Sequence, residues 1–555
     1  MKLTPFAKIF IALIILSVVG YVLYTKRDSV QQWANPGQGS KTDRRGDGKT
    51  DPAAAGSSTI GKDDFNAIGA AREAGKTGVT GIAKADIGNG KLGRKLVVGI
   101  NTWAGHAPGI IANAGLSGGD KNSIYLSKYG LDVEFKLLED PQTKLAAFIK
   151  GDIDIMWDTV DSWAREASAL AEQGKGGKAI LQQDWSRGGD GIVSLSSIKS
   201  VEDLKGKKIA TTRYTPSHWL LLYLLSQSGL SAADKAGIEK NLVFTAEAPL
   251  AAAAFKAKSV DAAVTWEPDL SGAVKARGDE AYILVSTAAA TNVIADCLVV
   301  QPELAQKAPE TLTAFIHGWF DGIEFIGRDP AQTYAVVGKA LKLSEEDVSG
   351  MLSGLKLTAF ADNALFFGLD GNRSQFEALF NTAFVVWRKQ GVITKAIDAK
   401  DFVDTRFVAS LSEQYPGQKV VETFKFDPKK KLDPAKERAI VNKSLTIYFT
   451  PGSDQIMAGS NFVLDSLGDT MTAFGNTYLQ IEGNTDNTGS RTVNRTLSQK
   501  RADSVKDYLI SNFKLDEKRF KTVGHGSENP VAPNSNEAGR QQNRRTDIKV
   551  ILNVQ

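Results

Sequence analysis

The chain has 555 residues, which at about 150 residues per domain corresponds to three or so folded units and excludes a single small domain. Hydrophobic residues make up 42%, charged residues 23% and aromatics 8%, an ordinary globular composition that excludes a wholly disordered or collagen-like chain. Lys and Arg number 67 against 63 Asp and Glu, a net charge of +4 spread along the chain, so no nucleic-acid footprint is present and nucleic acid is not an expected partner. Cys297 is the single cysteine, and His106, His218, His317 and His525 lie far apart. Neither a disulfide framework nor a zinc site is expected, and no cofactor.

In chain order, the first element is the uncharged apolar run Ile9 to Tyr24, preceded by Lys2 and Lys8 and followed by Lys26 and Arg27. With Pro5, Phe6 and Ala7 it approaches the roughly 20 residues that cross a bilayer as a helix. The run ends in Tyr21, Val22, Leu23 and Tyr24, with no small-x-small exit and no lipobox cysteine. The expectation is an uncleaved transmembrane signal anchor over residues 1–27, with the bulk of the chain outside the cytoplasm. From 28 to 95 the chain is rich in Gly, Ser, Ala, Lys and Asp, with few large apolar residues. That composition predicts a flexible linker, with a short helix possible around Asp63 to Ala74.

From Leu96 the texture changes to short apolar runs separated by helical segments: KLVVGI, LDVEFKLL, GDIDIMW, KAILQQ, KKIATT, LVFTA and VDAAVTW. Strands alternating with helices predict an α/β class with mostly parallel sheets, and in such sheets ligands sit at strand carboxyl ends. Polar and aromatic residues stand at those ends. Trp103 follows the first strand and Asp158 follows GDIDIMW; Asp184, Trp185, Arg187 and Asp190 lie where one lobe could cross to another; Ser217 and His218 open an apolar helix; Trp266 and Glu267 end VDAAVTW. Trp103, Trp185 and Trp266 offer flat walls, Ser217 and His218 suit an anion at a helix start, and Asp158 and Glu267 suit an ammonium group. Together they favour a small zwitterionic or anionic solute. Asp161, Trp163, Trp219, Trp319 and Trp387 follow helical apolar spacing and read as structural, as do His106 and His317. Cys297, ahead of LVV, reads as a buried strand residue.

The opening KLVVGINTWAGHAPG, the KGDIDIMW segment, SVEDLKGKKIATTRYTPSHW and the turn Trp266 to Pro268 resemble the periplasmic solute-binding proteins of the nitrate, sulfonate and taurine type. The resemblance covers residues 96–414 and implies two α/β lobes of the type II periplasmic-binding-protein fold, joined by a double crossover and serving an ABC-type importer. Enzymatic relatives of this fold need a reactive cysteine or histidine cluster; no nucleophile with a base is readable here, so catalysis is not expected.

A basic, proline-punctuated connector spans 415–438, and a second α/β unit spans 439–555. SLTIYFTPGSDQI reads as strand and turn, Asn461 to Phe474 as a helix, YLQIEGNTDNTGS as strand and loop, LSQKRADSVKDYLISNF as a helix, and a helix over Glu537 to Arg544 precedes the strand DIKVIL. The order is β-α-β-α-β-α-β. Gly483, Thr485, Asp486, Gly489, Asn494, Arg501, Gly524, Gly526, Pro530, Asn534, Arg540, Asn543, Arg544 and Arg545 carry a close resemblance to the OmpA/MotB carboxyl-terminal family. That resemblance implies non-covalent binding of peptidoglycan through the diaminopimelate group of its stem peptide. Asp486 and Arg501 occupy the positions for the ammonium and the carboxylate of that group, Thr485 and Asn494 would order the loop, and Asn543 and Arg544 would reach the rest of the stem peptide or glycan. The expected whole is a single-pass inner-membrane protein with its domains in a Gram-negative periplasm. It either serves an importer, with a membrane permease as partner, or links or senses between another inner-membrane complex and the wall.

Overall fold

The computed structural model describes residues 87–553, apart from 423, 428, 431 and 433–438. The expected anchor and the possible helix at Asp63 to Ala74 lie outside the described residues. No helix among the described residues is long and apolar enough to cross a membrane.

The first described strands fall within the span expected as linker. Strands β1 (Ile87–Gly88) and β2 (Lys91–Leu92) form an antiparallel hairpin. The N–H of buried Leu92 donates to Thr311 Oγ1 at 2.8 Å, and Arg94 grips Asp154 through two bonds of 2.7 Å.

The central region contains β3 (Leu96–Ile100), β4 (Val133–Leu137), β5 (Ile155–Thr159), β6 (Lys178–Ser186), β7 (Asp190–Leu195), β8 (Ile209–Thr212), β9 (Leu242–Thr245), β10 (Ala262–Trp266), β11 (Ala281–Ser286), β12 (Ala295–Val300) and β13 (Leu355–Leu357). They form two sheets, one in the order β13-β6-β12-β5-β3-β4 and the other β11-β7-β10-β8-β9. In each, three strands run parallel (β4, β3, β5 and β9, β8, β10), and β12 and β7 respectively run against them. Every residue of β5 is buried, as expected where helices cover both faces of a sheet. Each sheet is the core of one lobe, in agreement with the expected α/β class.

The chain crosses between lobes twice, through Arg187–Gly189 and back through Thr287–Ile294. Thr287 ties the crossings together. Its Oγ1 accepts from Gly188 N at 2.8 Å and from Asp190 N at 3.2 Å and lies 2.8 Å from Ser186 Oγ, while its own N–H donates to Asp190 O at 2.9 Å.

The carboxyl-terminal domain pairs β14 (Ala439–Leu445), β15 (Thr477–Asn484), β16 (Phe520–Gly526) and β17 (Thr546–Leu552) in the order β14-β17-β15-β16. Helices Asn461–Ala473, Arg491–Phe513 and Glu537–Asn543 alternate with the strands, giving the expected β-α-β-α-β-α-β order. The first strand lies earlier than SLTIYFTPGSDQI suggests: Ile440 and Val441 are buried in β14, whereas Tyr448 is exposed and only the bridge Phe449 to Ile456 remains of the later segment. Gly483 and Gly524 let the long helix rest on the sheet backbone, since a Cβ would fall 2.2 Å from Ser498 O and 2.4 Å from Gln499 N.

This domain docks on the second crossing. Asn292 N donates to Ala473 O at 3.0 Å and Asn292 Nδ2 to Thr472 O at 3.1 Å, and Gly475 N donates to Thr291 Oγ1 at 3.0 Å. The connector adds Glu422, paired with Arg187 at 2.6 Å and Lys356 at 3.2 Å.

Because Thr287 supplies partners to two backbone N–H groups in a buried setting, Thr287→Val leaves them unsatisfied and is expected to destabilise the protein by about 1–3 kcal/mol. Urea unfolding checks this; a loss below about 0.5 kcal/mol would show that the crossings do not rely on the hydroxyl.

Candidate functional sites

The first site lies where the lobes meet. Asp184 near the end of β6 faces Asp296 of β12 in register, and Asp296 on its other side faces Thr159 of β5. Asp190 opens β7 opposite Trp266, and Asp161 lies in the first turn of helix Val160–Glu172. Asp161, Asp184, Asp190 and Asp296 are between 0% and 6% exposed.

Asp184 Oδ2 accepts from Trp103 Nε1 at 3.2 Å, whereas its buried Oδ1 has no hydrogen-bond partner among the described residues. Asp190 accepts from Ser186 Oγ at 2.7 Å. The backbone forms the wall here, because a Cβ on Gly105 would fall 1.8 Å from Asp184 Oδ2 and one on Gly189 2.7 Å from the Trp103 ring.

Burial holds all four carboxyls above the usual carboxylate range. It lifts Asp161 to about 7, Asp184 to about 8 and Asp190 to about 7, and Asp296 well above its ordinary value. Their mutual repulsion adds to this: Asp190 acts on Asp184 and Asp161, Glu267 on Asp190, and all three other members on Asp296. No lysine or arginine makes an ion pair with any of the four among the described residues. Lys144 pairs with Asp158 and Glu166, Arg165 with Glu166, and Arg187 with Glu422.

The second lobe brings helix Pro216–Gln227, which Thr215 precedes without a side-chain cap. Ser217 is fully buried and its Oγ has no partner among the described residues. Tyr214, just before it, adopts a left-handed backbone with φ +62°, a conformation that non-glycine residues rarely hold away from functional loops. The lobes close on each other here: the Arg165 guanidinium lies 5.3 Å from the Tyr214 ring, and the Trp387 ring, whose Nε1 donates to Asp161 O at 2.8 Å, lies 6.0 Å from that of Tyr214.

Several expected site residues therefore act differently. Asp158 is not free for a ligand ammonium, because its carboxylate lies 3.4 Å from Lys144 Nζ, both fully buried. His218 brings no charge to an anion: burial and Arg213 lower its pKa to about 3, and its Nδ1 accepts from Tyr214 N at 3.3 Å. Trp185 is a core residue, packed edge-on against Phe366 at 5.5 Å. Glu267 Oε2 caps the following helix, accepting from Ser271 N at 3.1 Å and Ser271 Oγ at 2.7 Å. Trp103 stays beside Asp184, the half-buried Trp266 stands opposite Asp190, and Ser217 is buried in the first turn of its helix. Asp161, read from sequence as structural, together with Asp184, Asp190 and Asp296, is what the reading of strand ends passed over as ligand groups. The available signal was acidic residues flanking a predicted crossing and one placed just before a buried apolar strand.

The second site lies at the carboxyl end of β15. Asp486 Oδ2 lies 2.6 Å from Arg544 Nη1, and its Oδ1 accepts from Thr488 N at 2.9 Å. Burial works against the charge, but the Arg544 and Thr488 bonds carry the Asp486 carboxyl below its ordinary value. Arg501 donates through Nε to Ser453 O at 3.1 Å, lies 4.8 Å from the Phe449 ring, and has its pKa lowered by burial and by neighbouring Arg544. One carboxylate and two guanidiniums thus share the site, and Asp486 pairs directly with Arg544, not Arg501. Asn494 Nδ2 donates to Thr488 O at 3.0 Å and Asp486 O at 3.3 Å, and Thr485 Oγ1 to Asp486 O at 2.9 Å, which orders the loop. Asn543 is fully buried and bonded to Val531 N, Ala532 N, Ala532 O and Asn534 Oδ1. It holds the preceding loop and does not reach a ligand.

Comparison with known proteins agrees with this division. Residues 448–544 match the OmpA family profile and residues 121–333 the NMT1/THI5-like profile. The chain thus joins an NMT1/THI5-like domain to a carboxyl-terminal OmpA domain. Among curated proteins it is 32% identical to outer membrane porin F of Pseudomonas aeruginosa over 111 residues, 20% of this chain and 32% of that protein. It is 41% identical to the peptidoglycan-binding protein ArfA of Mycobacterium tuberculosis over 88 residues, 16% of this chain and 27% of that one. The chain spans about a third of the length of these curated relatives. Among solved structures, the periplasmic aliphatic sulphonate binding protein SsuA from Escherichia coli aligns at 18% identity and TM-score 0.44, over 56% of this chain and 97% of that one.

The raised carboxyls predict a pH dependence. Above the ordinary carboxylate range and up to about pH 8, the folded protein keeps protons that the unfolded chain has released, so these groups lower stability as pH rises. Asp184→Asn removes one such group. The stability of the native protein relative to this variant is expected to fall by up to about 1 kcal/mol per pH unit between about pH 5 and 8. Chemical denaturation of both proteins across that range checks it; parallel profiles would contradict it.

Proposed function

We propose that this protein is a solute-binding protein of the Gram-negative envelope, tethered to peptidoglycan by its OmpA domain. In this reading residues 1–27 anchor it in the inner membrane and the two-lobed cleft captures a small molecule for an importer. The observation that carries the proposal is the pairing, in one chain, of a two-lobed cleft with doubly crossed, buried polar walls and a separate, partly buried site built from Asp486, Arg501 and Arg544. Ligands of α/β lobes bind at strand carboxyl ends and between lobes, where Trp103 and the buried carboxylates stand. The match to a relative named as peptidoglycan-binding supports the wall assignment.

A diaminopimelate centre carries an ammonium and a carboxylate on one carbon. Asp486 would receive the first and Arg501 the second, since a guanidinium matches a carboxylate with two parallel bonds. Arg544, now paired with Asp486 and with Glu537 at 2.6 Å, would turn toward the rest of the stem peptide.

The contacts of Asn292 with Thr472 and Ala473 favour a second reading, an envelope sensor in which lobe movement reaches the wall domain. Loss of solute uptake on deletion supports the importer role; unchanged uptake with a solute-dependent change in wall binding supports the sensor.

Asp486→Ala and Arg501→Ala are each expected to reduce co-sedimentation with diaminopimelate-type peptidoglycan by at least about tenfold, equivalent to about 1.4 kcal/mol. Circular dichroism confirms that the variants are folded. Full retention of sedimentation by both folded variants would contradict the wall assignment.

A further inference from the structure

The cleft's charge inventory points to the chemistry of its ligand. Asp161, Asp184, Asp190 and Asp296 converge on the lobe crossing, buried and without an ion-paired lysine or arginine among the described residues. Asp184 Oδ1 and, in the first turn of helix Pro216–Gln227, Ser217 Oγ are buried without a hydrogen-bond partner among the described residues. Arg165 acts electrostatically on Asp161 without forming an ion pair with it, whereas the charges that act most on Asp184, Asp190 and Asp296 are other carboxylates. A bound anion would find no ion-pairing cation beside Asp184, Asp190 and Asp296, whereas a cation would find acceptors. Among the described residues no three acidic, histidine or cysteine groups come together in a way that could hold a metal ion. An organic cation, whose several N–H donors can reach neighbouring carboxylates without a metal's coordination geometry, suits this arrangement.

We propose that the cleft takes an organic cation bearing an ammonium or guanidinium group, held between Asp184, Asp190 and Asp296 with its carbon skeleton against Trp103. This deepens the solute-binding reading and rests on it. A desolvated cation beside an indole gains the ring's electrostatic attraction, and the guanidinium or ammonium supplies the donors that Asp184 Oδ1 lacks. The raised proton affinities of the carboxyls add a signature: because the cation favours their ionised forms, its binding releases protons. An anion bound at the same place would retain them.

Isothermal titration of the full chain at about pH 8 with agmatine, putrescine, taurine and ethanesulfonate separates the alternatives. Agmatine or putrescine is expected to bind, with a heat that changes with the ionisation enthalpy of the buffer as protons leave. Asp184→Asn and Asp296→Asn should each weaken that binding at least about tenfold. Ethanesulfonate should not bind. Binding of taurine or ethanesulfonate in place of the two cations overturns the inference while leaving the solute-binding reading intact. No binding of any of the four to the folded protein counts against both. If the Asn variants do not fold, the proton release on cation binding to the unaltered chain still decides.

Discussion

Asp184 and Asp296 face each other across two paired strands at the point where the lobes join, and with Asp161 and Asp190 they place four carboxyls in a water-poor setting. Burying an ionised carboxylate without a partner costs several kcal/mol, so such a group either takes up a proton or acquires a cation. The same lobe contains the alternative solution: Asp158 and Glu166, equally buried, share Lys144 at 3.4 Å and 3.2 Å. One acidic cluster thus contains its own cation, and the other, at the crossing, has neutral donors from Trp103 and Ser186 and raised proton affinities in place of an ion pair. That asymmetry separates the structural carboxylates from those available to a ligand.

Asp161, Asp184 and Asp296 belong to one lobe, and Asp190 joins them from the first strand after the crossing. Thr287 binds both crossings at one hydroxyl, and Trp387 and Arg165 close the far side against Asp161 and Tyr214. The wall domain holds the second crossing through Thr291 and Asn292, at the start of β15, whereas Asp486 follows the end of that strand. At about 3.3 Å per residue the eight residues of β15 separate the docking contacts from the wall site by about 25 Å. On the proposed reading, peptidoglycan is engaged at one end of the domain while the other rests on the second crossing between the lobes.

Much of this was legible in the sequence where a local pattern decides the outcome. The seven apolar runs from KLVVGI to VDAAVTW all became strands, because each is flanked by helical spacing and turn residues that leave no other arrangement. The glycines at 483 and 524 mark backbone contact with a helix, and the loop-ordering roles of Thr485 and Asn494 follow from their side chains. What failed depends on partners far away in sequence. Nothing near Asp158 reveals that Lys144 neutralises it, and nothing near Asn543 reveals the loop at 531–534 that occupies its amide. Trp185 and His218 stand at strand and helix ends, but the bulged pairing of β6 with β12 and the packing of Trp387 turn them into the interior. Thr287 and Asp296 lie in segments whose meaning exists only once the chain has crossed twice.

The most direct test of the account is a crystal structure of the full chain grown with putrescine at about pH 8, where the cleft carboxyls begin to ionise. The account predicts an amine nitrogen within hydrogen-bond distance of Asp184 Oδ1 and a second carboxylate of the cluster. Density for an anion between Asp184 and Asp296, or an unoccupied cleft with the carboxyls bonded only to one another, would contradict it.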